Sequence, residues 1–350
     1  MLKSRIMKFV MAAALLFSVS SCQSVSSWYQ VYFTTPGKPN TEITDALIKL
    51  IGQAKKTIHI AAFEFNLDPI AEALIAAKQR EIDVKWMTDD ERGMNADSEP
   101  GHGQFAKLKQ AGIEIKDDNR GALMHNKFVI VDGQVLWTGS TNLTVNGTQK
   151  NNNNVLVMRS PKIAAIYEGE FQEMWSGKFG KTSPTKVASQ KAIVNKTPVR
   201  ILFGSEDHVA DALIAEIGKA QKSIKFMAFS FTHDGMGKAM MAQADRGVKL
   251  EGIFETRGSE TKYSELPGFF CEGISVRQDG NPRTFHHKVI VLDEKTVITG
   301  SFNFSNNANK SNDENVVIVE NPQIASLYLQ EFDRRWQEGK PPRESKISCQ

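Results

Sequence analysis

Apolar positions recur at helical spacing over 41–55 and again over 209–220. Each stretch gives way to an apolar-dominated run of strand length, 58–65 and 224–231. A second helical period follows at 70–80 and 236–246, and a second strand pattern at 84–88 and 249–254. Further along each half the pattern predicts a strand hairpin, then a helix ending at Trp175 or Trp336. Strands alternating with ten-residue helical patterns predict an α/β layered domain, here written twice.

The repetition extends to residue identity. Asp45, Ala46, Leu47 and Ile48 reappear as Asp211, Ala212, Leu213 and Ile214, 166 positions on. His125 and Lys127 return as His286 and Lys288, and Glu170 and Phe171 as Glu331 and Phe332, both 161 positions on. The change of offset places length differences in the loops between conserved-length blocks, which is the signature of an internal duplication. Residues 177–196 are rich in Lys, Ser and Thr, contain a Pro and show no apolar period, so a linker is expected there. The expected organisation is a first domain over 28–177, a linker over 178–197 and a second domain over 198–340. Two α/β sandwich domains packed about a pseudo-two-fold, with one active site between them, is the architecture this implies.

One constellation carries chemistry. His125, Lys127, Asp132, Gly139, Ser140 and Asn142 recur at the same spacing as His286, Lys288, Asp293, Gly300, Ser301 and Asn303. Six fixed positions at average usage have a chance probability on the order of 10⁻⁸ per starting point. A His and a Lys two apart on a strand share a face. The run 128–131 that follows is continuously apolar, as in a strand buried on both sides. Asp132, ahead of Gly133, reads as a turn residue, and Asp293 likewise, so both are expected to be structural. The returning strand delivers Gly139, where close backbone approach is free, and then Ser140 and Asn142, whose shared parity lets them reach the pocket of the His and Lys.

These motifs resemble the paired HKD signatures of the phospholipase D superfamily, and the repeats cover nearly all of the chain after the N-terminal segment. The short halves and the run from Gly300 to Ser305 are most similar to its minimal branch, which contains a small bacterial endonuclease and mitochondrial cardiolipin hydrolase. Those proteins pair two single-motif chains, whereas here two copies are fused, so a monomer is expected. Cardiolipin synthases of the superfamily also carry two motifs, with N-terminal membrane helices for which this sequence shows no apolar run of sufficient length.

The resemblance implies phosphodiester cleavage through a phosphohistidine without a metal or other cofactor. One neutral imidazole attacks phosphorus while the other, protonated, donates to the leaving oxygen. Lys127 and Lys288 hold the phosphoryl oxygens, with Asn142, Asn303, Ser140 and Ser301 as further donors. No His-Glu-x-x-His, cysteine pair or acidic metal-ligand spacing occurs on the motif strands. The family pattern also places an acidic residue about eleven positions after the motif Asn to orient a His. The second half keeps it as Glu314, whereas the first half has Asn153. If each partner serves its own half, His286 becomes the acid and His125 the nucleophile, which is the expectation carried forward; crossing between halves reverses it.

The N-terminus changes the charge picture. Lys3, Arg5 and Lys8 precede an apolar stretch over 9–19 and then Val19, Ser20, Ser21 and Cys22, an arrangement resembling a bacterial lipobox. A signal peptide over 1–21, lipid modification of Cys22 and an envelope location follow as expectations, with Gln23 pointing to the outer membrane. The chain has 43 basic and 40 acidic residues. Removing 1–21 takes away three basic and no acidic ones, so the formal charge falls from +3 to zero and no polyanionic partner is indicated. An exported context permits a disulfide between Cys271 and Cys349, but two cysteines define no framework, so two free or unrelated thiols are the expectation and pairing stays open. His59, His102 and His233 read as incidental, Arg92 and Arg257 as loop charges, and Phe63, Phe65, Phe229 and Phe231 as core. Hydrolysis of phospholipid headgroup phosphodiesters at a membrane surface is the leading function. A metal-independent nuclease and a non-catalytic phosphate- or lipid-binding lipoprotein are the alternatives.

Overall fold

The computed structural model describes residues 28–37, 41–184 and 190–349. The segment 1–21 and Cys22 lie outside the described residues. The first half forms β1 (Tyr29–Phe33), α1 (Glu42–Gly52), β2 (Thr57–Ala62), α2 (Asp68–Gln79), β3 (Asp83–Thr88), α3 (Gln104–Gln110), β4 (Glu114–Asp117), β5 (Lys127–Val131), β6 (Val135–Gly139), β7 (Asn154–Arg159) and α4 (Pro161–Trp175). The second half forms β8 (Lys191–Val194), β9 (Thr197–Gly204), α5 (Val209–Ile217), β10 (Ser223–Ala228), α6 (Asp234–Ala244), β11 (Lys249–Phe254), α7 (Leu266–Cys271), β12 (Ser275–Gln278), β13 (Lys288–Leu292), β14 (Thr296–Gly300), α8 (Asn306–Lys310), β15 (Glu314–Glu320) and α9 (Pro322–Glu338).

The two sheets are the same sheet built twice. One runs β1-β7-β6-β5-β2-β3-β4 and the other β8-β9-β15-β14-β13-β10-β11-β12, with β8 added at the edge. In each, two parallel pairings (β2 with β3 and β3 with β4; β10 with β11 and β11 with β12) adjoin antiparallel ones. The mixed α/β duplication is therefore what the residues build. The segment 178–197 contributes the edge strand β8, which pairs with β9 through Ala192 and Ile193. It also contributes a short turn of 3₁₀ helix over Gly180–Thr182.

Strand parity shows why both faces are covered. Phe128 and Ile130 of β5 enter one core, while Val129 and Val131 enter another. In β13, Val289 and Val291 face the first of these and Ile290 and Leu292 face a third. The outer cores lie under α1, α2 and α3 in the first half, and under α5, α6 and α7 in the second. The shared core takes Tyr167 and Phe171 from α4, Tyr328 and Phe332 from α9, and the inner faces of both sheets. Tyr167 packs edge-to-face on Phe203 of the other half at 5.3 Å, and Phe33 on Tyr328 at 5.2 Å. Both long helices start alike, with a capping side chain before a proline. Ser160 accepts from the amide of Ile163, and Asn321 from those of Gln323 and Ile324.

Cys271 and Cys349, read from the sequence as unpaired thiols, form a disulfide with Cα atoms 5.5 Å apart. The C-terminal segment folds back onto α7, and nothing in the spacing of two cysteines announces that return. Closing a 78-residue separation removes chain entropy worth about 4.5 kcal/mol in the loop-closure model.

Asp132 and Asp293 sit at the turns between the motif strands, at φ 55° and 51°. Asp132 accepts from the amides of Lys55, Lys56 and Thr57, and Asp293 from those of Gln221, Lys222 and Ser223. Each thus ties the β5–β6 or β13–β14 turn to the start of β2 or β10. Partial burial pushes the Asp293 carboxyl upward, but the three amides outweigh it and hold it below the usual carboxylate range. Its stabilising contribution is accordingly present above the ordinary carboxyl pKa and disappears as the pH falls through the depressed value. Asp132→Ala and Asp293→Ala should each lower unfolding free energy by about 2 kcal/mol, seen as a shifted denaturant midpoint with unchanged slope.

Candidate active site

The two motif strands begin at the interface between the halves, and the chain just before each of them crosses it. Met124 pairs with Asp313 and Phe285 with Asn152 in isolated parallel bridges. The amide of His125 donates to the carbonyl of Asp313 at 2.9 Å, and that of His286 to the carbonyl of Asn152 at 2.9 Å. The same contact made in both directions is the mark of a pseudo-two-fold. Buried carboxylates secure the preceding residues. Asp89 accepts from the amide of Met124 at 3.2 Å, and Glu255 from that of Phe285 at 2.5 Å.

Gly139 and Gly300 lie at φ 148° and 146°, directly against the next strand. A Cβ at either would collide with the carbonyl oxygen of Asn154 or Asn315. This approach lets the Ser140 amide bond to the Asn154 carbonyl and the Ser301 amide to that of Asn315. The following turn thereby reaches the motif histidines.

The side-chain partners of the histidines cross between the halves. His125 Nδ1 donates to Glu314, 2.8 Å from Oε2 and 2.9 Å from Oε1. His286 Nδ1 donates to Asn153 Oδ1 at 2.9 Å and to the Ser140 carbonyl at 3.1 Å. The expected in-half pairing is therefore corrected, because the interface stands each His against the end of the other half's β7 or β15. The carboxylate backs His125 and the amide backs His286, so the reasoning that made His125 the nucleophile reverses. Asn153 is itself fixed, its Nδ2 donating to the carbonyl of Gly147 at 2.9 Å.

The serines also take a different place from the one expected. Ser140 Oγ donates to Asn153 Oδ1 at 2.8 Å, and Ser301 Oγ to Glu314 Oε2 at 2.6 Å. Their hydroxyls orient the residues behind the histidines and are not free to meet a phosphoryl oxygen. Asn142 donates Nδ2 to Glu64 Oε2 at 2.9 Å. Asn303 lies at the equivalent position in the second half, its Oδ1 buried without a partner among the described residues.

Lys127 and Lys288 are almost wholly enclosed. Each Nζ donates to the carbonyl of its own motif His, at 2.8 and 3.0 Å. Each also lies over a phenylalanine ring, Phe63 at 5.0 Å and Phe229 at 5.1 Å. Those rings contact the imidazoles too, Phe63 with His125 at 4.8 Å and Phe229 with His286 at 4.9 Å. Phe63 and Phe229, read as core, are thus walls of the site, whereas Phe65 and Phe231 are core. Strand alternation alone could not separate the two pairs, because the strands end at Ala62 and Ala228 before these residues.

Enclosing so much charge shifts every group. Burial and then the two lysines push His125 and His286 well below the ordinary imidazole value, with Lys127 the stronger of the two on His125 and Lys288 on His286. Burial brings Lys127 down to about 8, opposed by Glu314, Glu64 and Asp89, and it likewise drives Lys288 well below the ordinary ammonium value, with Lys127 adding to the fall. Burial raises Glu314 to about 7 against the pull of Lys127. A site this rich in desolvated donors is complemented electrostatically by an anion.

The remaining candidates lie elsewhere. His59 stacks on Phe171 at 4.7 Å and bonds Glu168 at 2.8 Å. His233 accepts from the amide of Met236 at the start of α6. Arg257 bonds the carbonyls of Pro282 and Arg283. His102 and Arg92, by contrast, line a cleft beside Glu64. Among the described residues two acidic groups, Asp89 with Asp90 and Asp118, and Glu170 with Glu173 and Glu206, are close enough to hold a cation, but none of their members belongs to the His-Lys-Asp motifs. Asp118 bonds Arg120 at 3.0 Å, and Arg120 continues to Asp313 across the interface.

The family profile described as "Cardiolipin synthase, PLD-like domain" matches residues 47–175 and 213–336, one match in each half. Mitochondrial cardiolipin hydrolase of Xenopus laevis is 35% identical over 129 residues, covering 37% of this chain and 59% of that protein. A phospholipase D of Rickettsia typhi is 36% identical over 123 residues, covering 35% of this chain and 60% of that protein. The chain thus spans about 60% of the length of these relatives. The solved structure of phosphatidylserine synthase from Haemophilus influenzae superposes with a TM-score of 0.66 over 89% of this chain and 87% of that one, at 16% identity, which is a likeness of fold.

The electrostatics set a pH window. Glu314 sets a negative charge behind His125 only when ionised, so function should fall as the pH drops through about 7. Lys127 carries its charge only below about 8, so function should fall again above that value. The kcat/KM profile for a soluble phosphodiester should be a narrow bell between these limits. Glu314→Gln should lower kcat/KM about 100-fold and abolish the acid limb while keeping the alkaline one.

Proposed function

The chain belongs to the phospholipase D-like family, and from that premise we propose that it is a phosphodiesterase that releases headgroups from phospholipids through a phosphohistidine. The observation that carries the chemistry is the crossed pair of imidazoles. Two histidines from two halves meet at one site, one backed by a carboxylate and the other by an amide, between two enclosed lysines.

When a phosphodiester monoanion enters between Lys127 and Lys288, it adds negative charge beside both lysines and both imidazoles. Both imidazoles then regain proton affinity, and His125 regains more because Glu314 lies behind its Nδ1. His125 is accordingly the protonated acid, and neutral His286 the nucleophile. The Nε2 of His286 attacks phosphorus while the bond from phosphorus to the headgroup oxygen breaks. That oxygen takes the Nε2 proton of His125. In the second half-reaction His125, now neutral, takes a proton from water, whose oxygen displaces His286 from phosphorus. An alcohol in place of water would give transfer by the same route.

Three features support a lipid substrate. The N-terminal segment resembles a lipoprotein signal, so Cys22 would tether the enzyme at the envelope, facing a membrane. The chain after residue 21 has no net charge. Glu64, Glu91 and Glu99 line a cleft beside the site, and such a wall repels a polyanionic strand.

The test uses the chain purified in detergent and assayed with EDTA on labelled phospholipid micelles, plasmid DNA and single-stranded RNA. Headgroup release that disappears in both His125→Ala and His286→Ala is the expected result. Cleavage of nucleic acid alone would replace the lipid by a nuclease reading, and inactivity on all three would favour a binding protein. With bis(p-nitrophenyl) phosphate, whose leaving group needs no proton, His125→Ala should still accumulate covalent phosphoenzyme and His286→Ala should form none. The opposite pattern would restore His125 as nucleophile.

A further inference from the structure

We propose that Glu64 selects the leaving group, favouring an alcohol that carries a cationic nitrogen, as in an ethanolamine or choline headgroup. The proposal rests on the phospholipase reading above and names the class of substrate for that same site.

The duplication supplies the internal control. At the offset of 166 that relates β2 to β10, Phe63 corresponds to Phe229 and Phe65 to Phe231. All four keep equivalent contacts. Phe63 and Phe229 touch the imidazoles at 4.8 and 4.9 Å, while Phe65 bridges to Leu143 and Phe231 to Phe304. Between them the first half has Glu64 and the second has Ser230. The same local backbone is therefore built without a carboxylate, and the fold does not require one at position 64.

Its surroundings point to the reaction instead. Glu64 accepts from the motif Asn142 at 2.9 Å, so its charge is fixed at the edge of the site. That charge also acts on Lys127. Beyond it opens a cleft of about 420 Å³ whose walls include Glu64, Glu91, Glu99, Arg92 and His102. The headgroup oxygen departs toward His125, which donates its proton, and His125 belongs to the same half as Glu64. An ethanolamine nitrogen is two carbons from that oxygen. The cleft thus offers the departing group an anionic wall on the side where it leaves.

The test compares the full chain with its Glu64→Gln variant, which keeps an acceptor for Asn142 and removes only the charge. Headgroup release is measured on mixed micelles of phosphatidylethanolamine and, separately, phosphatidylglycerol, after thermal melts establish that both proteins are folded. The wild type should favour phosphatidylethanolamine at least tenfold in kcat/KM. The variant should lose at least tenfold on that lipid and less than threefold on phosphatidylglycerol. With bis(p-nitrophenyl) phosphate as substrate, ethanolamine should inhibit the wild type with a Ki at least tenfold lower than it shows for the variant.

Equal losses on the two lipids would show that the Glu64 charge acts through Lys127 and not on the leaving group, and would overturn the proposal. A wild type that prefers phosphatidylglycerol would overturn it while leaving the phospholipase reading intact. Release of neither headgroup would overturn both.

Discussion

Burying two lysines and two histidines between two sheets is tolerable only because each half completes the other. His125 leans on Glu314 and His286 on Asn153, and the backbone before each motif strand bonds across the same interface. Neither half alone holds a correctly oriented imidazole. The shared core of α4, α9 and the inner sheet faces is what keeps those partners in register. Gly139 and Gly300, the serine hydroxyls that hold Asn153 and Glu314, and the carboxylates behind Met124 and Phe285 all serve that one arrangement.

Duplication makes the site nearly symmetric, and the departures from symmetry are where function is written. Asn153 stands opposite Glu314, so one imidazole holds a proton more firmly than the other. Glu64 stands opposite Ser230, so one side of the site is anionic. The two substitutions act together. The half that lacks a carboxylate behind the opposing His carries one at the cleft instead, and the proposed direction of the reaction across the site rests on both.

Much of this was legible in the sequence. Offsets of 166 and 161 revealed the duplication, and parity placed His125, Lys127, Ser140 and Asn142 on one pocket. The missing acid at Asn153 was also visible. The crossing was not, because spacing along a chain carries no information about which copy of a repeat a side chain meets across an interface. The same limit hid the disulfide, since two cysteines 78 apart define no framework. It also hid the division of labour among the phenylalanines. Phe63 and Phe65 look alike in the sequence, and both lie past the end of β2, where strand alternation no longer says which way each faces. Ser140 and Ser301 were placed in the right pocket with the wrong partner, for the short reach of a hydroxyl is decided by tenths of an ångström.

The crossed pairing is tested most directly by nitrogen-15 NMR of histidine-labelled protein, with the His125 and His286 resonances assigned from their alanine variants. Glu314→Gln should shift the Nδ1 resonance of His125 and leave that of His286 in place, while Asn153→Ala should do the reverse. A Glu314→Gln spectrum in which His286 moves and His125 does not would contradict the account at its centre.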